Sequence, residues 1–385
     1  MRSGIHLYVH VPFCTYRCPY CAFYNVRPDA ARETAFLDGV EREIEVWRAR
    51  GAFEEKPLAT LYWGGGTPSR LSEGGFQRLT DLCLGVAETD PDMEWTVEVN
   101  PSDVSAELYA AYRERGVTRI SVGAQSFDPD RLRFLGRDHG SARARDAVVA
   151  AAEAGFADVS LDLVFNLAVD DRRKAWPADL EAALELPITH LSLYGLTLEP
   201  GTPFHRRAAR GARLTLDDAS YGAEYLRACR AARRRGFEHY EVSSFARPGH
   251  RSRHNQSYWS GASYLGMGPA AHSFDGERRW ANVASLEAWG RALETGADPR
   301  EFVEVLGPAE RDLESLYLGL RTARGLPEDH PGLASPEARP IVEGLVGRGM
   351  LRRREGRLAC TERGFLVLDA ILGYLPPFDG VRGEK

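Results

Sequence analysis

Cys14-Thr15-Tyr16-Arg17-Cys18-Pro19-Tyr20-Cys21 is the stretch that decides how this chain is read. It follows Ile5–Val11, an apolar run that reads as a β-strand, so three thiols occupy the loop at a strand's C-terminal end. The chain has six cysteines, and the other three, Cys83, Cys229 and Cys360, are scattered singly. A crowded trio of this kind points to a metal or cluster site and not to a disulfide framework. Soft thiolates at CxxxCxxC spacing can hold three irons of a four-iron, four-sulfur cluster and leave the fourth iron open to a small molecule. The competing reading is zinc, completed by a distant cysteine or a histidine. Structural zinc usually draws on two close pairs, and the sequence has no second pair, so the spacing favours the cluster. Cys83 and Cys229 fall on amphipathic helices and read as small buried hydrophobes.

Outward from that loop, strand-like and helix-like segments alternate. Residues 30–50 carry Phe36, Leu37, Val40, Ile44 and Trp47 on one helical stripe. Strands are expected over 58–63, 94–99, 119–122, 159–165 and 190–194, with helices between them. Repeated β-α units give a parallel sheet with helices outside. Six such units make an α/β fold, a partial (β/α)6 TIM-like barrel whose ligands belong at the strands' C-terminal ends. The pattern loosens after Leu196. Amphipathic helices over 309–322 and 337–348, then a hairpin turning at Glu355-Gly356, suggest a C-terminal α+β, winged-helix-like domain. The expected organisation is therefore a cluster-bearing barrel over 1–230, a connecting region over 231–300 and the winged-helix-like part over 301–385.

Composition narrows the function classes. Hydrophobic residues make up 43% and charged residues 27% of 385, an ordinary globular balance. Lys+Arg total 49 against 55 Asp+Glu, a net charge of -6, which does not suit a general polyanion binder. The runs Arg233-Arg234-Arg235 and Arg352-Arg353-Arg354 read as solvated faces. No signal peptide is recognisable, and no apolar run approaches the ~20 residues of a membrane helix. The expectation is a cytoplasmic protein with no nucleic-acid partner and no integral membrane segment.

Further motifs then fall in order. Tyr62-Trp63-Gly64-Gly65-Gly66-Thr67-Pro68-Ser69 ends the second strand. Glu98-Val99-Asn100-Pro101, Ser121-Val122-Gly123-Ala124-Gln125-Ser126-Phe127, Leu135-Gly136-Arg137 and Ser160-Leu161-Asp162-Leu163 follow. Together with CxxxCxxC they resemble the radical S-adenosylmethionine (SAM) superfamily and, within it, the HemN-like group of anaerobic coproporphyrinogen-III oxidases. His254-Asn255-Gln256-Ser257-Tyr258-Trp259 resembles the HNxxYW signature of that group's HemW branch, the haem chaperones. The resemblance runs from about Ile5 to the C-terminus.

The resemblance implies a site. Cys14, Cys18 and Cys21 would hold a [4Fe-4S] cluster completed by exchangeable SAM. Gly66, Thr67 and Pro68 would line the methionine end; read alone, the glycines mark only a tight turn. Glu98, Gln125 and Asp162 would bond ribose hydroxyls or the ammonium group, and Arg137 would pair with the carboxylate as a fork. Taken singly, each of these reads as a rim salt bridge or cap. Tyr8, Tyr20 and Gly195 match further SAM positions. His254 is the candidate haem ligand, with Arg251 and Arg253 placed for propionates and Tyr258 and Trp259 for the porphyrin face. Without the signature, the same stretch reads as a structural loop.

Two departures stand out. Asn166-Leu167-Ala168-Val169-Asp170-Asp171 replaces a Gly-Leu-Pro-Gly-Gln-Thr-like loop, where asparagine can still supply a left-handed turn. Ala22 stands where the branch usually has an acidic residue. The resemblance implies a haem chaperone that passes haem to an acceptor protein, with a homodimer as one candidate assembly. The alternative is a coproporphyrinogen III dehydrogenase using a SAM-derived radical. Phe23 occupies the place of that branch's fourth cysteine, and thirteen residues precede Cys14, too few for its N-terminal extension. Both favour the chaperone. A third reading, a zinc-binding adaptor, predicts no SAM affinity.

Overall fold

Six parallel strands form the frame of the computed structural model, which describes residues 4–54, 56–169 and 175–376. They are β1 (Ile5–Val11), β2 (Leu58–Gly65), β3 (Thr89–Val99), β4 (Arg119–Gln125), β5 (Asp158–Phe165) and β6 (His190–Gly195). Each pairs with the next in parallel register. The crossovers run through α1 (Ala30–Ala49), α2 (Glu73–Leu84), α3 (Ala106–Glu114), α4 (Pro129–Leu135), α5 (Ser141–Glu153) and α6 (Ala175–Glu185). Side-chain caps fix where these helices start: Asp29 accepts from Arg32 N, Ser72 from Gly75 N and Ser105 from Leu108 N.

The strands show two chemistries at a period of two. Leu7, Val9, Leu61, Trp63, Val97, Ile120, Leu161 and Leu191 are buried in the apolar core. The intervening positions are polar. His6, Thr60, Ser121, Ser160, Asp162 and His190 bond to one another across the concave side. This is the partial barrel the β-α alternation predicts. Its concave face, however, is lined with hydrogen-bonding groups.

After β6 come α7 (Pro203–Ala209) and α8 (Asp218–Arg234). The 231–300 stretch, read from sequence as a connecting region, extends the sheet at both edges. β7 (Glu238–Glu241) and β8 (Ser244–Ala246) add antiparallel strands beyond β6, and β9 (Leu265–Met267) pairs in parallel with β1. An open barrel leaves unpaired edge groups, and these short strands satisfy them. Between them lies α9 (Arg253–Trp259). A small sheet of β10 (His272–Phe274), β11 (Arg278–Asn282) and β12 (Arg300–Val305) follows, with α10 (Leu286–Thr295) packed on α1.

The C-terminal part contains α11 (Pro308–Leu320), β13 (Leu326–Pro327), α12 (Pro331–Ala334), α13 (Ala338–Gly347) and the hairpin β14 (Leu351–Arg354)–β15 (Arg357–Cys360). It ends in α14 (Glu362–Leu366) and α15 (Leu368–Tyr374). Glu355 and Gly356 both have positive φ, 53° and 70°, the conformation a two-residue type I′ turn requires. Of the basic runs, Arg353 pairs with Glu328 and Glu343, and Arg233 with Glu362. Among the described residues no helix is long and apolar enough to cross a membrane.

The α1–α10 crossing is tight. A Cβ added at Gly39 would lie 2.2 Å from Cζ3 of Trp289, whose side chain is fully buried. Gly39→Val should therefore destabilise the protein by ~1–3 kcal/mol through overpacking. Urea denaturation measures this, and an unchanged midpoint would contradict the packing.

Candidate functional site

A cavity of about 630 Å³ opens at the C-terminal ends of the six parallel strands. Of the residues singled out from sequence, Cys14, Cys18, Tyr20, Cys21, Gly66, Thr67, Glu98, Gln125, Arg137, Asp162 and Gly195 line it. Pro68, Tyr8 and His254 do not. Pro68 is buried at the start of a single 3-10 turn. Tyr8 hydrogen-bonds His10 Nδ1 at 3.3 Å and its ring lies 6.1 Å from that of Tyr62.

The thiol loop is held by backbone. Cys14 N–H donates to Val26 O (2.9 Å), Val26 N–H to Pro12 O (2.7 Å) and Gly66 N–H to Val11 O (2.9 Å). Two glycines permit this crossing. A Cβ on Gly66 would sit 2.6 Å from Val11 O, and one on Gly65, at φ +94°, 2.3 Å from His10 Nδ1. The Gly-Gly-Gly run is therefore needed for close approach of β2 to the loop.

Polar groups converge on the thiols. Cys14 Sγ lies 3.4 Å from Thr67 Oγ1. Arg137 follows Gly136, the left-handed cap of α4. It donates through Nη2 to Gly123 O (2.9 Å) and through Nη1 to Cys18 Sγ (3.5 Å), while its buried Nε has no hydrogen-bond partner among the described residues. Burial pushes the Cys14 thiol up and the Cys21 thiol up to about 11. Gln125 adopts φ 67°, a left-handed conformation that costs ~1–3 kcal/mol in a non-glycine residue and is common at ligand sites.

Across the cavity, Tyr62 Oη donates to Glu98 Oε1 at 2.7 Å. Burial raises the Glu98 carboxyl to about 7 against that hydrogen bond, and Asp162 adds to the rise. Burial lifts Asp162 itself to about 6. Asn166 has φ 67°, so the left-handed turn expected of it is present; Asn166 Nδ2 donates to Leu196 O at 3.1 Å. Asp170 and Asp171 of that loop lie outside the described residues.

Sequence reasoning missed several lining residues. Asn100 and Asp138 form a bonded pair at 3.2 Å beside Arg137. Ser121 and Tyr194 also line the cavity. Both sit on the polar phase of their strands, a signal that alternation alone carries. Thr197 and Glu199 come from the loop after β6, where no pattern marks them.

The HNxxYW segment is placed differently from expectation. It forms α9, which enters the concave side at the strands' N-terminal ends. Next to it, His250 Nδ1 is 2.8 Å from Asp158, the first residue of β5. The Glu94 carboxylate accepts from Arg253 N–H (2.8 Å), His254 N–H (2.9 Å) and Ser252 Oγ (3.2 Å), a negative charge at the helix N-terminus. His254 is 1% exposed. Its Nδ1 bonds Thr60 Oγ1 (2.7 Å), its Nε2 bonds Tyr258 Oη (2.8 Å), and its ring stacks on Tyr62 at 5.0 Å. His254 therefore lies in the barrel interior and not at the surface, with both ring nitrogens engaged. The outer side of the motif instead lines a second cavity of about 530 Å³, with Arg251, Gln256 and Trp259 facing Phe274, Arg311, Arg324 and Arg357. Trp259 Nε1 is buried without a hydrogen-bond partner among the described residues, and the Arg321 guanidinium lies 4.8 Å from the Trp259 ring centre.

The Radical SAM superfamily description matches residues 8–175. Heme chaperone HemW of Mycobacterium tuberculosis (strain ATCC 25618 / H37Rv) is 34% identical over 375 residues, covering 96% of this chain and 94% of the relative. Heme chaperone HemW of Bacillus subtilis (strain 168) is 31% identical over 373 residues, covering 95% and 97%. Among solved structures, coproporphyrinogen III oxidase (HemN) from Escherichia coli superimposes with a TM-score of 0.80, covering 96% of this chain and 89% of that one. At 22% identity that likeness bears on fold alone.

Thr60 bonds both His6 Nδ1 (2.9 Å) and His254 Nδ1 (2.7 Å) in the buried interior. Thr60→Val leaves two buried imidazoles each short of a partner. The expected loss is ~2–4 kcal/mol of stability, taking ~1–2 kcal/mol for each unsatisfied group. A chemical denaturation midpoint within error of wild type would show that this network is not formed.

Proposed function

The chain belongs to the radical SAM superfamily and, within it, to the HemW haem-chaperone family, and on that premise we propose that it binds a [4Fe-4S] cluster, SAM and haem and hands haem to an acceptor protein. The observation that carries the reading is the convergence of three thiols, Thr67 and the Arg137 guanidinium on one cavity above six parallel strands. The donor set fits the group: three soft ligands in one loop, and a buried Arg137 Nε awaiting an acceptor.

In this reading Cys14, Cys18 and Cys21 hold the cluster, which when bound supplies an iron open to the amino and carboxylate groups of SAM. Arg137 meets that carboxylate. Gly66 and Thr67 receive the methionine end, and Pro68 shapes the turn beneath them. Glu98, Gln125, Asp162 and Gly195 receive the ribose and ammonium side, and Tyr20 packs beside the cluster. Haem is seated in the second cavity, where Arg251 and neighbouring arginines meet the propionates and Trp259 packs on the porphyrin. His254 then positions α9 from within and does not ligate iron. The acceptor is a haem-dependent protein of the same reducing, cytoplasmic compartment.

Replacing Cys14, Cys18 and Cys21 together by serine should abolish the visible absorption of the anaerobically reconstituted cluster while leaving haem binding within about 3-fold of wild type. Joint loss of cluster and haem in a folded variant would mean one shared site.

Haem titration followed by the Soret band locates the second site. Saturation near one equivalent is expected, with affinity falling ~10-fold or more in Arg251→Ala/Trp259→Ala, a loss of ~1.4 kcal/mol. His254→Asn should keep the wild-type Soret position. A folded His254→Asn protein with an altered band would make His254 the axial ligand after all.

A further inference from the structure

Cys229, buried on α8, belongs to neither cavity. Its Sγ lies 3.9 Å from His239 Nδ1 on β7. One ligand atom each from Cys229, His239 and Glu362 fall within 4.8 Å of one another. Glu362 opens α14, so the trio joins the barrel side of the molecule to its C-terminal helices. We propose that Cys229, His239 and Glu362 form a second metal site, for zinc or a similar borderline divalent cation, which ties α14 to α8 and β7.

Three observations support the assignment. The first is the donor set. Thiol, imidazole and carboxylate are the three protein ligands zinc accepts, with a water completing the tetrahedron. Bonds of ~2.3 Å to sulfur and ~2.05 Å to nitrogen put tetrahedral S and N roughly 3.6 Å apart, so the 3.9 Å Cys229–His239 separation needs a contraction of a few tenths of an ångström, and the wider pairs, up to 4.8 Å, close by roughly 1 Å through rotation of the Glu362 side chain.

The second is the histidine's orientation. Tyr225 Oη donates to Val242 O at 2.7 Å. His239 Nε2 faces both that carbonyl (3.4 Å) and the Tyr225 oxygen (3.3 Å), which leaves it the donor to each. A proton on Nε2 satisfies both contacts and leaves Nδ1, the nitrogen nearer Cys229, free to bind a metal. Metal-bound histidines are held in this way, with the far N–H on a backbone carbonyl. Phe245 stacks on the ring at 4.1 Å and Phe365 meets it edge-on at 5.0 Å, so the imidazole is fixed from both sides.

The third is charge. Binding Zn²⁺ displaces the Cys229 thiol proton to solvent, so thiolate and carboxylate offset the dication, and the Arg233 guanidinium on Glu362 leaves the partly buried cluster at +1. Arg233 bonds one oxygen of Glu362, and a carboxylate can hold a guanidinium on one oxygen and a metal on the other.

The cluster thiols also take zinc, so the test uses full-length protein carrying Cys14→Ser, Cys18→Ser and Cys21→Ser. Zn²⁺ and Co²⁺ are the probes. The expected result is one equivalent of zinc retained through a weak chelator, a thiolate-to-cobalt charge-transfer band, and a melting temperature raised by zinc. Cys229→Ser and Glu362→Gln, added singly, should each weaken zinc binding at least 10-fold and remove the melting shift. Cys229→Ser should also remove the charge-transfer band. Glu362 is partly exposed, so its variant decides the matter if Cys229→Ser unfolds. Absence of retained zinc, or retention at wild-type affinity in folded Glu362→Gln, overturns the site.

Discussion

A carboxylate placed under a helix end makes this barrel possible. The concave face carries histidine, threonine, serine and acidic side chains, and none of these can be buried without partners. Glu94 resolves the conflict by drawing in α9 through three hydrogen bonds to its first turn. The helix then brings His254 and Tyr258, which complete the bonding of Thr60 and His6. Without that plug the interior would be a polar trough open to water. With it, the parallel sheet is buried on both faces, the usual requirement for parallel strands.

The plug also links two regions that the sequence separates. Tyr62 stacks on His254 from above and donates to Glu98, which lines the thiol-bearing cavity. The residues after His254 face the arginine-rich cavity. The two cavities are thus joined through one short helix and one tyrosine. This is a chain of contacts; energetic coupling along it is a separate property that only paired perturbations reveal.

Much of this was legible in the residues. The strand and helix alternation, the Glu355-Gly356 turn and the thiol loop all follow from local chemistry, which tertiary packing left intact. So did the left-handed turn at Asn166, since asparagine tolerates that backbone. What escaped was set at long range. The arginine-rich cavity arises where α9 meets α11, segments about fifty residues apart. His254 looked like a surface ligand because an HNxxYW string says nothing about which way its helix points. Even so, the polar phase of β1 to β6 was visible, and a barrel with a polar interior demands something to fill it. That argument would have placed the histidine inward.

The capping of α9 has a consequence for how the molecule is made. Glu94 and Arg253 are 159 residues apart, and Thr60 and His254 are 194 apart. Such pairings raise contact order, and closing long loops before they are rewarded slows folding. On the ribosome, every strand of the six-stranded frame emerges before the segment that satisfies its interior. The polar interior of the barrel therefore cannot be closed until α9 has been synthesised.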